Sequence, residues 1–226
     1  MTDDEPTDEP KTTVPVVPRS NYRWLFALVV LVLIALISVS LLRYSGGRGA
    51  RGILVGAQIP PFAAPLVTSS VDGDANLARK ANSGAAGKVP ACSIHQPGVV
   101  TSCELTSRRP LVLAFATQSR RCVQQLDELE RMAAFRRGQV DVAAVAVRGN
   151  RDKWRRLVAG RWSFPVVYDR DGALAAAYDV EICPQTTFVR HGGRAAGTAF
   201  GELSDVQLAL KVRQLLLTPT GTIEGR

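Results

Sequence analysis

Residues 111–122 have the sequence LVLAFATQSRRC, which joins a nearly uninterrupted apolar run to a run with helical character. Residues 111–117 are typical of a strand that is covered on both faces of a sheet, because their alternate positions are not polar. A helix is expected over residues 122–137, where Leu126 and Leu129 recur on one stripe. The stretch therefore predicts a buried strand that leads directly into an amphipathic helix.

The same alternation continues toward the end of the chain. Further strands are predicted at 140–147, 164–168, 186–190 and 195–200, and further helices at 151–161, 173–178 and 204–217. Gly192-Gly193 is expected to be the turn of a hairpin between the last two strands. This order predicts an α/β fold with a partly parallel sheet that is covered on both faces.

Two cysteines are distinguished by their neighbours. Cys122 opens the predicted helix beside Arg120 and Arg121, and Cys183 directly precedes Pro184, 61 residues later. A helix N-terminus and adjacent cations stabilise a thiolate and lower the pKa of the thiol. These positions indicate redox chemistry. A role as a small core residue stays open for both cysteines, because free cysteine is among the most buried residue types.

The N-terminal part of the chain favours a membrane anchor. Residues 1–23 are acidic and rich in proline, which predicts a disordered tail. Residues 24–42 carry no charge, and as a helix they would span roughly 28 Å, about one bilayer core. A cleaved signal peptide is the competing interpretation, but its apolar part is normally shorter. We therefore expect a single transmembrane helix that contacts membrane lipid through residues 24–42.

Composition divides the remaining chain into four parts. They are a tether at 43–58, an irregular extension at 59–104, the α/β domain at 105–218 and a tail at 219–226. Within the extension, the turn-forming pair Pro97-Gly98 lies between Cys92 and Cys103. This spacing predicts a hairpin in which the two cysteines face each other.

The charged residues do not indicate a nucleic-acid partner. The net charge is +8, but the 28 basic residues are scattered among alanine-rich stretches and are not clustered with aromatic residues. A metal site is not expected either. His95 and His191 are the two histidines, and the chain contains neither a Cys-x-x-Cys nor a His-x-x-x-His spacing.

Several motifs resemble, in order and spacing, those of the thioredoxin superfamily. The likeness is strongest to membrane-tethered thiol-disulfide oxidoreductases and to the peroxiredoxin-like redoxin group. The motifs are RPLVLAF at 109–115, the cysteine-headed helix, FPVVYDRDGALA at 164–175, YDV at 178–180 and PQTTF at 184–188. The resemblance covers residues 105–217. It implies a thioredoxin-like three-layer sandwich with a mixed central sheet, with Pro184 as the cis-proline that lies against the active cysteine.

The active-site motif departs from this family. Thioredoxin-like enzymes have Cys-x-x-Cys at the helix start, whereas this chain has SRRC at 119–122. Because a serine hydroxyl does not attack a disulfide at neutral pH, the ordinary shuttle between the two cysteines of that motif is unavailable. The same four residues also resemble the peroxidatic Thr/Ser-x-x-Cys of peroxiredoxins. The proline that precedes that motif and the distant arginine of that family are not evident here.

The resemblance implies a role for each candidate residue. Cys122 is expected to be the reactive thiol, with Cys183 as its resolving partner, although the opposite order is also open. The supporting residues are Ser119, which hydrogen-bonds the thiolate, Arg120 and Arg121, which stabilise it, and Pro184, which shapes the substrate groove. The substrates would be protein thiols and disulfides or small hydroperoxides, and no cofactor is expected. The alternative is a redox-silent thioredoxin-like domain that binds a partner at the membrane.

The four cysteines allow three pairings. The pairing that suits the expected fold joins Cys92 to Cys103 and Cys122 to Cys183. A structural bridge at Cys92 persists only in an oxidising compartment, which favours an extracytoplasmic domain. The basic residues beside the anchor are equal in number on its two sides, so they do not orient it.

Overall fold

The computed structural model describes Trp24, residues 26–34 and residues 52–217. The chain divides into two units, Met1–Arg48 and Gly49–Arg226, and the second carries the folded domain. In the first unit, Trp24 and residues 26–34 are helical and exposed. Among the described residues, no helix is both long enough and apolar enough to cross a membrane. The rest of the predicted span, residues 25 and 35–42, lies outside the described residues.

The domain is organised around a five-stranded mixed sheet. The two strands of the N-terminal extension are β1 (Ala63–Pro65) and β2 (Val99–Thr101), and the five of the sheet are β3 (Leu111–Ala116), β4 (Asp141–Val147), β5 (Val166–Asp169), β6 (Gln185–Val189) and β7 (Ala195–Phe200). Within the sheet the strands lie in the order β5-β4-β3-β6-β7. Strands β3, β4 and β5 are parallel, whereas β6 is antiparallel to β3 and β7 is antiparallel to β6. The expected partly parallel sheet is therefore present.

Helices cover both faces of this sheet. They are α1 (Ser102–Thr106), α2 (Arg120–Phe135), α3 (Arg151–Val158), α4 (Ala173–Ala177) and α5 (Asp205–Leu217). Strand β3 sends Val112, Ala114 and Ala116 into the core shared with α2 and α5, and Leu111, Leu113 and Phe115 into the core shared with α4. Because successive side chains of a strand point to opposite faces, this central strand has to be apolar throughout.

The helix starts follow local capping rules. Ser119 is the N-cap of α2, and its Oγ accepts a hydrogen bond of 3.5 Å from the N–H of Cys122. The helix therefore begins two residues earlier than predicted. Ser204 and Gln207 form the expected capping box of α5, with Ser204 N donating to Gln207 Oε1 at 3.0 Å and Gln207 N donating to Ser204 Oγ at 3.3 Å.

The extension before β3 is more regular than its composition predicts. Strands β1 and β2 pair antiparallel, and Phe62 is fully buried in the core on the α4 side. Two arginines of α3 hold the same segment from the other side. Arg151 donates to Leu66 O at 2.8 Å, and Arg155 donates to Val67 O at 3.1 Å. The extension is thus built into the domain.

The predicted hairpin around Pro97-Gly98 is not formed. Cys92 lies in a 3₁₀ turn (Ala91–Ser93) and Cys103 lies in α1, and their disulfide joins these two helical turns across a Cα–Cα distance of 5.6 Å. Strand β2, which follows the turn, pairs with β1 and not with the residues around Cys92. A local turn signal does not specify the partner of a strand, and here the partner is supplied by an earlier segment.

Candidate active site

Three chain segments meet at one end of the sheet. They are the C-terminal end of β3, the start of α2 and the loop that leads into β6. The loop brings Cys183 to Cys122, and the two form a disulfide with a Cα–Cα distance of 5.9 Å. The Cys183–Pro184 peptide bond is cis, and Pro184 is buried. The site thus joins two cysteines that are far apart along the chain.

The sulfur of Cys122 lies at the helix start and has no accessible surface. The exposed fraction of Cys122 is 0 %. Ser119 Oγ donates a hydrogen bond to Cys122 Sγ at 2.9 Å, and Thr117 Oγ1 lies 3.5 Å from the same sulfur. The partial positive charge of a helix N-terminus acts at this position as well. Two hydroxyl groups and a helix end therefore favour negative charge on Cys122.

The sulfur of Cys183 has different surroundings. It accepts a hydrogen bond from the backbone N–H of Thr117 at 3.1 Å and lies 3.6 Å from Thr117 Oγ1. It also lies 3.7 Å from the carbonyl oxygen of Phe115, an acceptor that disfavours negative charge on the sulfur. Unlike Cys122, Cys183 is only half-buried.

A cleft of about 370 Å³ opens beside Cys183. Its walls come from the ends of β3 and β4, from α4 and from the loop before Pro184. Besides Cys183 itself, the residues that line it include Phe115, Arg148, Ala176, Val180, Glu181 and Ile182. Cys122 does not line this cleft. Of the two cysteines of the disulfide, the one that lines the cleft is therefore Cys183.

Comparisons of the coordinates with solved structures find this architecture in several proteins. A protein of Chlorobium tepidum described as the thiol:disulfide interchange protein DsbE superposes with a TM-score of 0.54 at 19% identity, covering 72% of this chain and 96% of that one. A DsbF homologue from Corynebacterium diphtheriae gives 0.54 at 16% identity, covering 74% and 94%. The peroxidoxin BcpB from Mycobacterium tuberculosis gives 0.53 at 15% identity, covering 74% and 98%.

This chain has a thioredoxin fold. The thioredoxin-like fold that the sequence resemblance implied is confirmed by the structural matches. No protein-family model matches the sequence, and no curated protein sequence matches it. At these identities the matches establish the fold and not the chemistry.

Ser119 occupies the place of the first cysteine in the thioredoxin-fold motif. It lies at the N-cap of α2, exposed, three residues before Cys122. In this chain the partner of Cys122 is instead supplied by the loop before the cis-proline. The position of the first cysteine of that motif thus carries a hydroxyl that contacts Cys122.

The two arginines of the motif do not contact the sulfurs. Arg120 and Arg121 are exposed, and Arg121 Nε lies 3.9 Å from Glu202, with 83% of the Arg121 side chain accessible. The hydrogen bonds to Cys122 Sγ found among the described residues come from hydroxyl groups. Any effect of the arginines on the thiolate is therefore long-range and screened by solvent.

Thr117 is the site residue that the sequence did not single out. Its hydroxyl lies 3.5 Å from Cys122 Sγ and 3.6 Å from Cys183 Sγ, and its backbone N–H is the donor to Cys183. The sequence feature that could have identified Thr117 is its position at the end of an apolar strand, two residues before the helix N-cap Ser119. Sequence reasoning treated it only as the last residue of that strand.

The other cysteine pair belongs to the extension, away from this site. The disulfide between Cys92 and Cys103 links α1 to the preceding turn, and Thr101 caps α1 by accepting from Glu104 N at 3.1 Å. Within the described part of the chain, no group of three or more His, Cys, Asp or Glu side chains is placed to hold a metal ion.

A buried carboxylate supports the wall of the cleft. Asp169, at the end of β5, accepts hydrogen bonds from Leu174 N at 3.0 Å and Ala175 N at 2.9 Å. Burial raises the pKa of Asp169, and the two backbone donors oppose that rise. The carboxylate holds the first turn of α4, whose residue Ala176 lines the cleft.

Proposed function

We propose that this chain is a thiol-disulfide oxidoreductase that cycles its Cys122–Cys183 pair between disulfide and dithiol. The observation that carries the proposal is the arrangement of that pair. One sulfur lies at a helix start with two hydroxyl groups around it, and the other lies in a cleft beside a cis-proline. Disulfide exchange requires a stabilised thiolate and an accessible sulfur, and this pair has both.

The substrates we propose are protein thiols and disulfides. The cleft has room for a side chain and its backbone. Its walls are largely apolar, and the charged residues Arg148 and Glu181 also line it. Exchange with such a substrate moves two electrons between the substrate and the cysteine pair. The reaction itself needs no metal or organic cofactor.

Turnover measurements on the full chain test this proposal. The assay follows transfer of electrons from dithiothreitol to a peptide disulfide. We expect Cys122→Ser and Cys183→Ser each to abolish turnover, because each removes one half of the pair. The matched control is Cys92→Ser with Cys103→Ser, which removes the other disulfide and is expected to retain turnover. Full turnover in both single variants, or none in the wild-type chain, would refute the proposed function.

A thiol peroxidase is the second candidate, and one contact favours it. Ser119 Oγ lies 2.9 Å from Cys122 Sγ, so a hydroxyl is in place beside the thiol as in the peroxidatic motif. The burial of Cys122 and the exposure of both arginines favour the oxidoreductase instead. Treating the reduced chain with hydrogen peroxide separates the two. A Cys122 sulfenic acid that forms faster than the chain exchanges with a peptide disulfide would favour the peroxidase.

We further propose that the domain is anchored to a membrane by residues 24–42 and lies outside the cytoplasm. The uncharged run supports the anchor, and the pairing of all four cysteines suits an oxidising compartment. Cell fractionation with and without residues 24–42 tests the anchor. A membrane-impermeant thiol reagent tests the side: we expect labelling in intact cells after reduction. Labelling that requires lysis would contradict the proposed side.

A further inference from the structure

We propose that the two cysteines have fixed roles, with Cys183 exchanging with the substrate and Cys122 acting as the buried leaving and resolving thiol. This inference rests on the proposed oxidoreductase function and specifies how its site works. It places the exchanging sulfur on the loop before the cis-proline, whereas the helix motif alone points to Cys122.

Access to the two cysteines determines which of them an external thiolate attacks. In thiol-disulfide exchange, the incoming thiolate approaches one sulfur of the disulfide from the side opposite its partner. Cys122 has no accessible surface, while Cys183 is half-buried and lines the cleft. An external thiolate that enters the cleft therefore meets Cys183 and not Cys122.

The surroundings of the two sulfurs determine which of them leaves more readily as a thiolate. Exchange is faster when the sulfur that leaves has a low thiol pKa. Cys122 Sγ lies at the start of α2, with Ser119 Oγ at 2.9 Å and Thr117 Oγ1 at 3.5 Å. Thr117 Oγ1 is also 3.6 Å from Cys183 Sγ, so this hydroxyl does not distinguish the two sulfurs. Cys183 Sγ has the N–H of Thr117 as a further donor, but it faces the Phe115 carbonyl at 3.7 Å and has neither the helix end nor the Ser119 hydroxyl. Negative charge is thus better accommodated on Cys122, and access and leaving ability select the same direction.

The bond changes follow from this assignment. A substrate thiolate attacks Cys183 Sγ, the Cys122–Cys183 bond breaks, and its electron pair stays on Cys122 as a thiolate. A second thiolate of the substrate then attacks the substrate sulfur of the mixed disulfide and releases Cys183. The substrate leaves as a disulfide, the chain holds two more electrons as a dithiol, and each released thiolate takes one proton from water. The reverse sequence reduces a substrate disulfide.

Trapping the mixed disulfide on the unmodified full chain is the most direct test. The oxidised chain is treated briefly with a peptide that contains one cysteine, quenched with iodoacetamide and mapped by tandem mass spectrometry. A peptide with one cysteine cannot complete the second step within the same molecule, and alkylation of the released cysteine by iodoacetamide prevents the original disulfide from re-forming, so the intermediate is captured. We expect the peptide on Cys183 and the carbamidomethyl group on Cys122. The reverse distribution at the earliest times would overturn the assignment.

Single-cysteine variants provide a second measurement. Cys122→Ser and Cys183→Ser are each reacted with the same peptide activated as a 2-thiopyridyl disulfide, and release of thiopyridone is followed. We expect Cys183 in the first variant to react at least about tenfold faster than Cys122 in the second, because of its access. Circular dichroism of both variants shows that the comparison is made between folded chains. Equal rates, or a faster Cys183→Ser variant, would overturn the assignment.

These outcomes are separable from failure of the proposed function. If the wild-type chain turns over peptide disulfides but the peptide is trapped on Cys122, the oxidoreductase stands and the role assignment falls. If the wild-type chain shows no turnover, the proposed function falls, and with it the assignment of catalytic roles.

Discussion

Ser119 Oγ lies 2.9 Å from Cys122 Sγ and also accepts the N–H of Cys122 at 3.5 Å. The Ser119 hydroxyl thus caps helix α2 and donates a hydrogen bond to the buried sulfur of Cys122. In the thioredoxin fold this position ordinarily carries the exchanging cysteine. Here Ser119 stands at that position, and Cys122 is instead joined to Cys183, which comes from the loop before the cis-proline.

Replacing Ser119 with alanine is expected to affect both tasks. Loss of the cap should lower the free energy of unfolding by about 0.5–2 kcal/mol. Loss of the hydroxyl should raise the pKa of the Cys122 thiol and slow exchange, because the thiolate loses a donor. Urea unfolding measures the first effect, and the pH dependence of alkylation of the reduced chain measures the second. Ser119→Thr keeps a hydroxyl and serves as the control. An unchanged pKa in the alanine variant would contradict the role given to the hydroxyl.

Replacing Ile182 with serine should alter substrate binding without altering the cysteine pair. Ile182 lines the cleft next to Cys183, and 45% of it is exposed, so it is free to cover an apolar side chain of a bound peptide. Loss of about 1 kcal/mol of apolar contact corresponds to a KM about fivefold higher for a peptide with leucine beside its cysteine. We expect kcat to stay close to the wild-type value. The same assay with alanine beside the cysteine is the control, and an equal KM increase for both peptides would argue against an apolar subsite.

Removing the Cys92–Cys103 disulfide should cost stability and leave exchange intact. The bridge closes a short loop, with a sequence separation of 11 residues between its cysteines. Loops of this size are expected to contribute about 2–3 kcal/mol to the free energy of unfolding. Chemical unfolding of the Cys92→Ser, Cys103→Ser double variant measures that loss, and the peptide assay measures turnover. A large loss of turnover at temperatures where the variant is folded would show that the extension takes part in exchange.

The ion pair between Asp127 and Arg161 is expected to make stability fall in acid. Arg161 donates two hydrogen bonds to Asp127, at 2.8 and 2.7 Å, and Trp162 Nε1 donates a third at 2.9 Å. The hydrogen bond from Arg161 is the main reason that the pKa of Asp127 lies below its ordinary value near 3.8. A carboxyl whose pKa is lower in the folded chain than in the unfolded chain adds stability. This stability is fully present above the unfolded-state pKa and is lost as the pH falls through the folded-state pKa.

Asp127→Asn should therefore reduce the free energy of unfolding by about 1 kcal/mol at pH 7, the upper end of the range for ion pairs in contact with solvent. The difference from wild type should shrink as the pH is lowered below 3.8. Urea titrations at pH 7 and at acidic pH measure both quantities. Asp152→Asn, at an exposed pair with Arg155, is the control. A difference that stays constant with pH would show that the carboxylate charge is not responsible.

Local patterns predicted most of the sheet and its helices. The apolar run at 111–116 is strand β3, and the serine that follows it caps α2, as hydrogen-bonding side chains do at helix starts. The capping box of Ser204 and Gln207 likewise predicted the start of α5. These signals work because they depend on residues only a few positions apart. The cysteine layout, together with the family resemblance, also led to the two disulfide pairs that the structure contains.

The environment of each sulfur was not encoded in such patterns. Cys122 is buried, Cys183 lines a cleft, and Thr117 contacts both sulfurs, because the loop before Pro184 packs against the junction of β3 and α2, with a sequence separation of 61 between the two cysteines. The missing hairpin at Cys92 has the same origin, since β2 pairs with a strand more than thirty residues earlier. Helix starts and apolar strands are properties of neighbouring residues, whereas accessible surface and hydrogen-bond partners arise only when remote segments exclude water from one another.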